Sequence, residues 1–177
     1  VSPQLFSVRT IDLERKEVRH YRRSYMNVDR GKFDRFLLEM VPDTVDVLSA
    51  VCTKVQREGD EFVLEIKTEE GIETIHCDYM VGADGADSVV RKHLFPTQKI
   101  QRYVAIQQWF VAEHENPYYS CIFDNATSPS CSWIFFKDDK MVFGGAFAST
   151  HCREAFELQK KKLIEKYHIT LISVGNG

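Results

Sequence analysis

The residues best placed to do chemistry lie in one run, Asp78-Tyr79-Met80-Val81-Gly82-Ala83-Asp84-Gly85-Ala86-Asp87-Ser88-Val89-Val90-Arg91. A short apolar segment leads to a carboxylate, a glycine, a hydroxyl and then residues suited to a helix. Open α/β sheets bind ligands just beyond the carboxyl ends of their strands. Asp84 can accept hydrogen bonds there from ligand hydroxyls. Gly85 can bring bare backbone against a ligand or adopt a positive φ. Ser88 or Asp87 can cap the helix, whose free N–H groups favour a nearby phosphate. The same residues also suit a plain strand–turn–helix corner with Asp84 as turn former. Spacing alone leaves both readings open.

The run resembles the Asp-Gly-x-x-Ser-x-x-Arg motif of FAD-dependent oxidoreductases with the glutathione-reductase-type FAD fold. That group includes the flavin aromatic hydroxylases and the geranylgeranyl-reductase-like flavoproteins. Asp84, Gly85, Ser88 and Arg91 fall on the motif positions. The resemblance implies that the corner helps to hold FAD and, in some members, also serves the nicotinamide cofactor. Upstream, the segment from Asn27 to Leu38 resembles the family's Arg-x-x-Phe-Asp-x-x-Leu helix start. The resemblance sets Arg30 against the cofactor, where a guanidinium suits a pyrophosphate. Read by itself, Arg30 is a solvated charge, with Asp34 paired to Arg30 or Lys32.

A third segment, Cys131-Ser132-Trp133-Ile134-Phe135-Phe136 followed by Gly144-Gly145-Ala146, resembles the Tyr-x-Trp-x-Phe-Pro and Gly-x-Gly pattern of geranylgeranyl reductases. Cys131, Phe136 and Ala146 depart from that pattern. Strand alternation puts Cys131, Trp133 and Phe135 on one face. The resemblance implies that Trp133, Phe135 and Gly144 border a site for a small, largely apolar organic substrate. The competing reading is an aromatic sheet core. The parent is expected to be an FAD-dependent reductase or monooxygenase, with electrons passing from NAD(P)H through the flavin. No catalytic acid or base is assigned. The alternative is a β-rich module that binds a ligand or partner without redox activity.

The family's Gly-x-Gly-x-x-Gly phosphate cradle does not occur in the sequence, nor does its later Gly-Asp motif. Val1-Ser2-Pro3 and Gly175-Asn176-Gly177 do not resemble natural termini, so the chain is read as the central piece of a longer protein. By itself it is expected to hold FAD weakly or not at all.

The elements that must position these residues follow from periodicity. Strands are expected at 4–11 and 17–23, and a helix from Asn27 to Val41, closed by Pro42. A short β-rich run at Thr44–Leu48 precedes three strands over Cys52–Arg57, Glu61–Lys67 and Ile72–Cys77, joined by short turns as an antiparallel meander. Tyr79–Ala83, short and apolar, reads as a buried strand of a parallel sheet. A helix is expected from Ser88 to Phe95, then strands over Ile100–Ala112, Tyr118–Phe123, Cys131–Lys137 and Lys140–Ala148, and a last helix over Arg153–Tyr167. The fold class is therefore mixed α/β. Residues 1–97 are expected to be part of an FAD-binding domain and 98–177 part of an antiparallel substrate-domain sheet. Lys160-Lys161-Lys162 reads as a solvated helix face, and His114 as a strand-end residue with a general base as the alternative.

Composition excludes several other classes. The 177 residues are 44% hydrophobic and 28% charged, an ordinary globular balance. A net charge of −3 disfavours a nucleic-acid partner. No apolar run reaches the roughly 20 residues of a membrane helix, so membrane contact is expected only if the substrate is a lipid. The five cysteines form no CxxC pair. No metal site is expected, and a reducing, cytoplasmic compartment is favoured.

Overall fold

The computed structural model describes residues 4–111, 118–167 and 172–173. The chain is mixed α/β and divides into two compact units, Val1–Met40 with Tyr103–Gly177, and Val41–Arg102.

The first unit is a seven-stranded sheet with one long helix on one face. Strands β1 (Leu5–Asp12) and β2 (Glu17–Tyr25) form a hairpin, followed by α1 (Arg30–Glu39). In chain order within this unit come β6 (Tyr103–Val111), β7 (Tyr119–Phe123), β8 (Cys131–Lys137), β9 (Lys140–Ala148), α3 (Cys152–Tyr167) and β10 (Ile172–Ser173). The sheet order is β10-β6-β9-β8-β7-β1-β2. Every pairing is antiparallel except β1 with β7, which is parallel from Val8↔Tyr119 to Asp12↔Phe123.

Alternation decides what each face buries. Ile11, Ile122, Ile134, Phe143 and Phe147 point to the face that α3 covers with Phe156 and Leu163. Phe156 stacks on Phe143 at 5.0 Å and meets Phe147 edge-on at 5.8 Å. Each such side chain contributes about 1.5–3 kcal/mol on burial. Trp133 and Phe135 alternate with buried Ser132 and Ile134, so they occupy the face away from α3.

The second unit is smaller. Strands β3 (Val51–Glu58), β4 (Glu61–Lys67) and β5 (Ile72–Cys77) make the expected antiparallel meander. Helix α2 (Val89–Leu94) packs against β3.

Four expectations are corrected. The division into 1–97 and 98–177 does not match the units, because β1 pairs with β7 and draws the N-terminal hairpin into the sheet of the second half. That parallel pairing also makes the expected antiparallel sheet a mixed one. Tyr79–Ala83 forms no strand, and Tyr79 and Val81 are 91% and 89% exposed, because no described strand hydrogen-bonds with the segment. Thr44–Leu48 is likewise unpaired, with Val45, Val47 and Leu48 exposed.

The lysine run is only partly a solvated face. Lys160 Nζ donates to Gln108 at 2.8 Å, and Lys162 Nζ donates to the buried Asp124 at 2.8 Å. His114 lies outside the described residues.

Candidate functional site

The corner from Gly82 to Arg91 lies within the second unit and is built by three local devices. Ser88 is the N-cap of α2, its Oγ accepting from Arg91 N at 2.9 Å. The same hydroxyl donates to Asp84 Oδ1 at 2.6 Å, and Asp84 Oδ2 accepts from the backbone N–H groups of Val89 and Val90. Arg91 reaches back to donate to Ala86 O at 2.6 Å, closing the loop on itself. Gly82 is a packing glycine: a Cβ there would come within 2.9 Å of Val90 Cβ. Gly85 is conformational, with φ +77° and nothing within 4 Å of where its Cβ would stand.

This geometry divides the labour at the corner. The bonds from Ser88 and the two amides hold the Asp84 carboxyl below the ordinary aspartate range, the Ser88 hydroxyl contributing most. A carboxylate offers about four acceptor positions, so these three bonds leave little spare capacity. Ser88, 7% exposed, spends its only donor on Asp84. Gly85 is the element left open. It borders a groove of about 910 Å³ whose wall also includes Lys54, Arg57, Phe62, Met80 and Val90. The side chains of Lys54 and Arg57 are engaged there, with Glu65 at 3.3 Å and with Gly59 O at 3.1 Å.

Arg30 belongs to the other unit and is described on its own. Asp29 caps α1 by accepting from Lys32 N at 3.0 Å. Arg30 then forms an ion pair with Asp34 at 3.2 Å, and its side chain is 77% exposed. The local pairing seen as one alternative in the sequence is present. The resting geometry leaves the guanidinium accessible.

In the sheet, Gly144 lies opposite Trp133, and a Cβ at Gly144 would stand 2.5 Å from the indole Nε1. The indole therefore lies across β9 and fills the space that the glycine leaves. Phe135 stacks on Tyr119 with centroids 6.0 Å apart, and Tyr119 meets Tyr25 at 5.3 Å. An aromatic row thus runs from β8 to the end of β2. Burial pushes the Tyr119 phenol and the Cys121 thiol above their ordinary pKa values. Tyr119 and Tyr25 were not among the sequence candidates. The only signal was the Tyr118-Tyr119 doublet at a strand start, since the register that joins the two tyrosines is non-local.

The aromatic row and the Gly82–Arg91 corner lie in different units. All five cysteines are free thiols. No described helix is long and apolar enough to cross a membrane.

Comparison with known proteins gives these features a context. The family described as FAD binding domain matches residues 43–161. The protein CbrA of Escherichia coli K12 is 41% identical over 163 residues, which are 92% of this chain and 46% of the relative. CbrA of Shigella sonnei is 42% identical over the same span. The chain therefore spans about half the length of the curated relatives it matches. Among solved structures, a flavoprotein/dehydrogenase from Cytophaga hutchinsonii superposes with a TM-score of 0.64 at 18% identity, over 94% of this chain and 46% of the other. The p-nitrophenol 4-monooxygenase of Pseudomonas putida DLL-E4 superposes with a TM-score of 0.54 at 9% identity, over 92% and 46%. These two likenesses concern the fold.

Proposed function

This chain belongs to the FAD binding domain family, and from that premise we propose that the whole protein is an FAD-dependent oxidoreductase. It acts as a reductase or monooxygenase on a small, largely apolar organic substrate, with NAD(P)H as electron donor. The observation that carries the reading is the corner at Asp84–Arg91, which falls inside the matched segment and presents Gly85 at φ +77° beside open space.

The residues present fit the cofactor to a defined extent. Gly85 supplies a side-chain-free approach for a bulky polar tail. Asp84 keeps its charge through its three hydrogen bonds and offers its remaining acceptor capacity to sugar hydroxyls. Ser88 acts by holding Asp84 in place. Arg30 offers a guanidinium for pyrophosphate once it leaves Asp34. When bound, FAD supplies the redox chemistry, and the protein supplies position and electrostatics.

Trp133 and Phe135 contribute an aromatic surface against which an apolar substrate packs, and Gly144 seats the indole. The free thiols accord with a cytoplasmic setting.

Two titrations test this. The 177-residue chain, mixed with FAD, is expected to show no saturable flavin quench in the micromolar range; tight binding would contradict the expectation that the Gly-x-Gly-x-x-Gly cradle is needed for affinity. A polypeptide of the relatives' full length is expected to retain FAD, and full-length protein that holds none would contradict the proposal.

A second reading rests on the aromatic row, which exists whatever the corner does: a β-rich module that binds an apolar ligand without redox chemistry. Full-length protein that holds no FAD, but loses ligand capacity on Trp133→Ala with folding intact, favours it.

A further inference from the structure

Arg30 opens α1, yet nothing in α1 anchors it, since none of the helix's residues is buried. The anchor comes from β8, more than a hundred residues away in sequence. Asn27 Nδ2 donates to the Phe136 carbonyl oxygen at 2.8 Å. Lys137 Nζ donates to the Val28 carbonyl oxygen at 3.0 Å. Tyr25, the last residue of β2, meets Tyr119, which stacks on Phe135. The chain that enters α1 is thus fastened to consecutive residues of one strand, and all of these partners belong to the first unit.

Lys137 stands out among them. Alternation along β8 puts it on the same face as Trp133 and Phe135. It pairs across the hairpin with Lys140. Like charges directly opposite on neighbouring strands are unfavourable, so hairpin stability does not explain a lysine here. Its ammonium reaches out of the sheet to Val28 instead. Its charge also reaches the helix cap: the Asp29 carboxyl is held below the ordinary aspartate range, first by the Lys32 amide and in lesser part by Lys32 and Lys137. Among the described residues the Lys140 side chain has no hydrogen bond or ion pair.

We propose that Lys137 is a positioning residue for the cofactor: by holding Val28 it sets where α1 begins, and so where the Arg30 guanidinium stands. This role rests on the one given to Arg30 under the proposed function. A guanidinium receives a pyrophosphate through a planar fork of donors, which demands a set angle of approach. Arg30 is two residues from the held carbonyl, so little slack separates them. Its exposed pair with Asp34 is weak enough to open. The strand that carries Trp133 and Phe135 toward a substrate therefore also places the cation for the cofactor.

Flavin-fluorescence titration of full-length variants tests the proposal. Arg30→Ala should weaken FAD binding about 10-fold. Lys137→Met should weaken it about 5-fold, but should add nothing in the Arg30→Ala background, where no guanidinium remains to be placed. Lys137→Arg, which can still donate to Val28, should bring affinity back to within about 2-fold of the original. Lys140→Ala should leave it unchanged, and circular dichroism should show each variant folded at the titration temperature. A merely structural lysine would lower the melting temperature without changing the affinity of folded protein. Unchanged affinity in Lys137→Met, or equal weakening with and without the Arg30 guanidinium, overturns the proposal. In either case the flavin reading survives as long as the unsubstituted protein holds FAD; if it holds none, both fall.

Discussion

The two units carry their apolar residues in opposite ways. In the seven-stranded unit the residues meet across a sheet–helix layer: Ile11, Phe110, Ile122, Ile134, Met141, Phe143, Phe147, Phe156 and Leu163 form one buried cluster. In the meander unit only Val55, Val63 and Ile66 are buried hydrophobics, while Tyr79, Val81, Val45 and Leu48 face solvent. The first unit is therefore specified by packing. The second holds its key corner by hydrogen bonds, from Asp84 through Ser88 to Arg91. A corner held by hydrogen bonds and one glycine leaves its backbone open to a ligand, whereas a packed layer leaves no such opening.

The largest effect expected from this contrast is in the packed layer. Phe156→Ala removes a fully buried ring that contacts both Phe143 and Phe147. It should cost about 3–5 kcal/mol, read as a lowered urea midpoint. If the cost is below about 1 kcal/mol, the layer is not the source of this unit's stability.

In the meander unit the counterpart is steric. Gly82→Val places new atoms against Val90, where even a Cβ would sit at 2.9 Å. It should cost about 1–3 kcal/mol by displacing α2. Amide exchange at Val89–Leu94 should rise, with β8 and β9 unaffected. Protection lost equally in β8 and β9 would erase the contrast between the units.

A smaller effect follows from acid. The Ser88 hydroxyl, then the Val90 and Val89 amides, favour the charged form of Asp84 and depress its pKa. A depressed pKa gives a contribution that is complete above the unfolded value, about 4, and is lost as pH falls through the folded value. Proton NMR of Val89 and Arg91 should show the corner loosening below about pH 4, at a lower pH than model aspartate titrates. Titration at or above that value would contradict the bonding described.

The sequence made the meander legible because Phe62, Leu64 and Ile66 alternate with charged residues between glycine turns. It also made the aromatic strand legible, since period-two alternation needs no knowledge of partners. The unit boundaries were not legible, because β1 finds β7 across more than a hundred residues and pairing of that range leaves no local mark. Tyr79–Ala83 has the apolar composition of a buried strand but no hydrogen-bonded partner among the described residues, and composition alone does not supply one. At the corner, Ser88 could be read as a cap from its type and position. That Asp84 spends three hydrogen bonds on the same helix start depends on φ/ψ values that residue identity does not fix. Gly144 shows the same limit: a small residue beside an aromatic suggested open space, and the indole of Trp133 occupies it.

Under the proposed function, Gly85 is a backbone left bare for the flavin's polar tail. Gly85→Ala meets no atom within 4 Å and has only the strain of a positive φ to bear, about 1 kcal/mol of stability. Flavin-fluorescence titration of full-length protein carrying that substitution is predicted to show FAD affinity reduced at least ~10-fold. Unchanged FAD affinity in a variant that shows the expected strain would contradict the account.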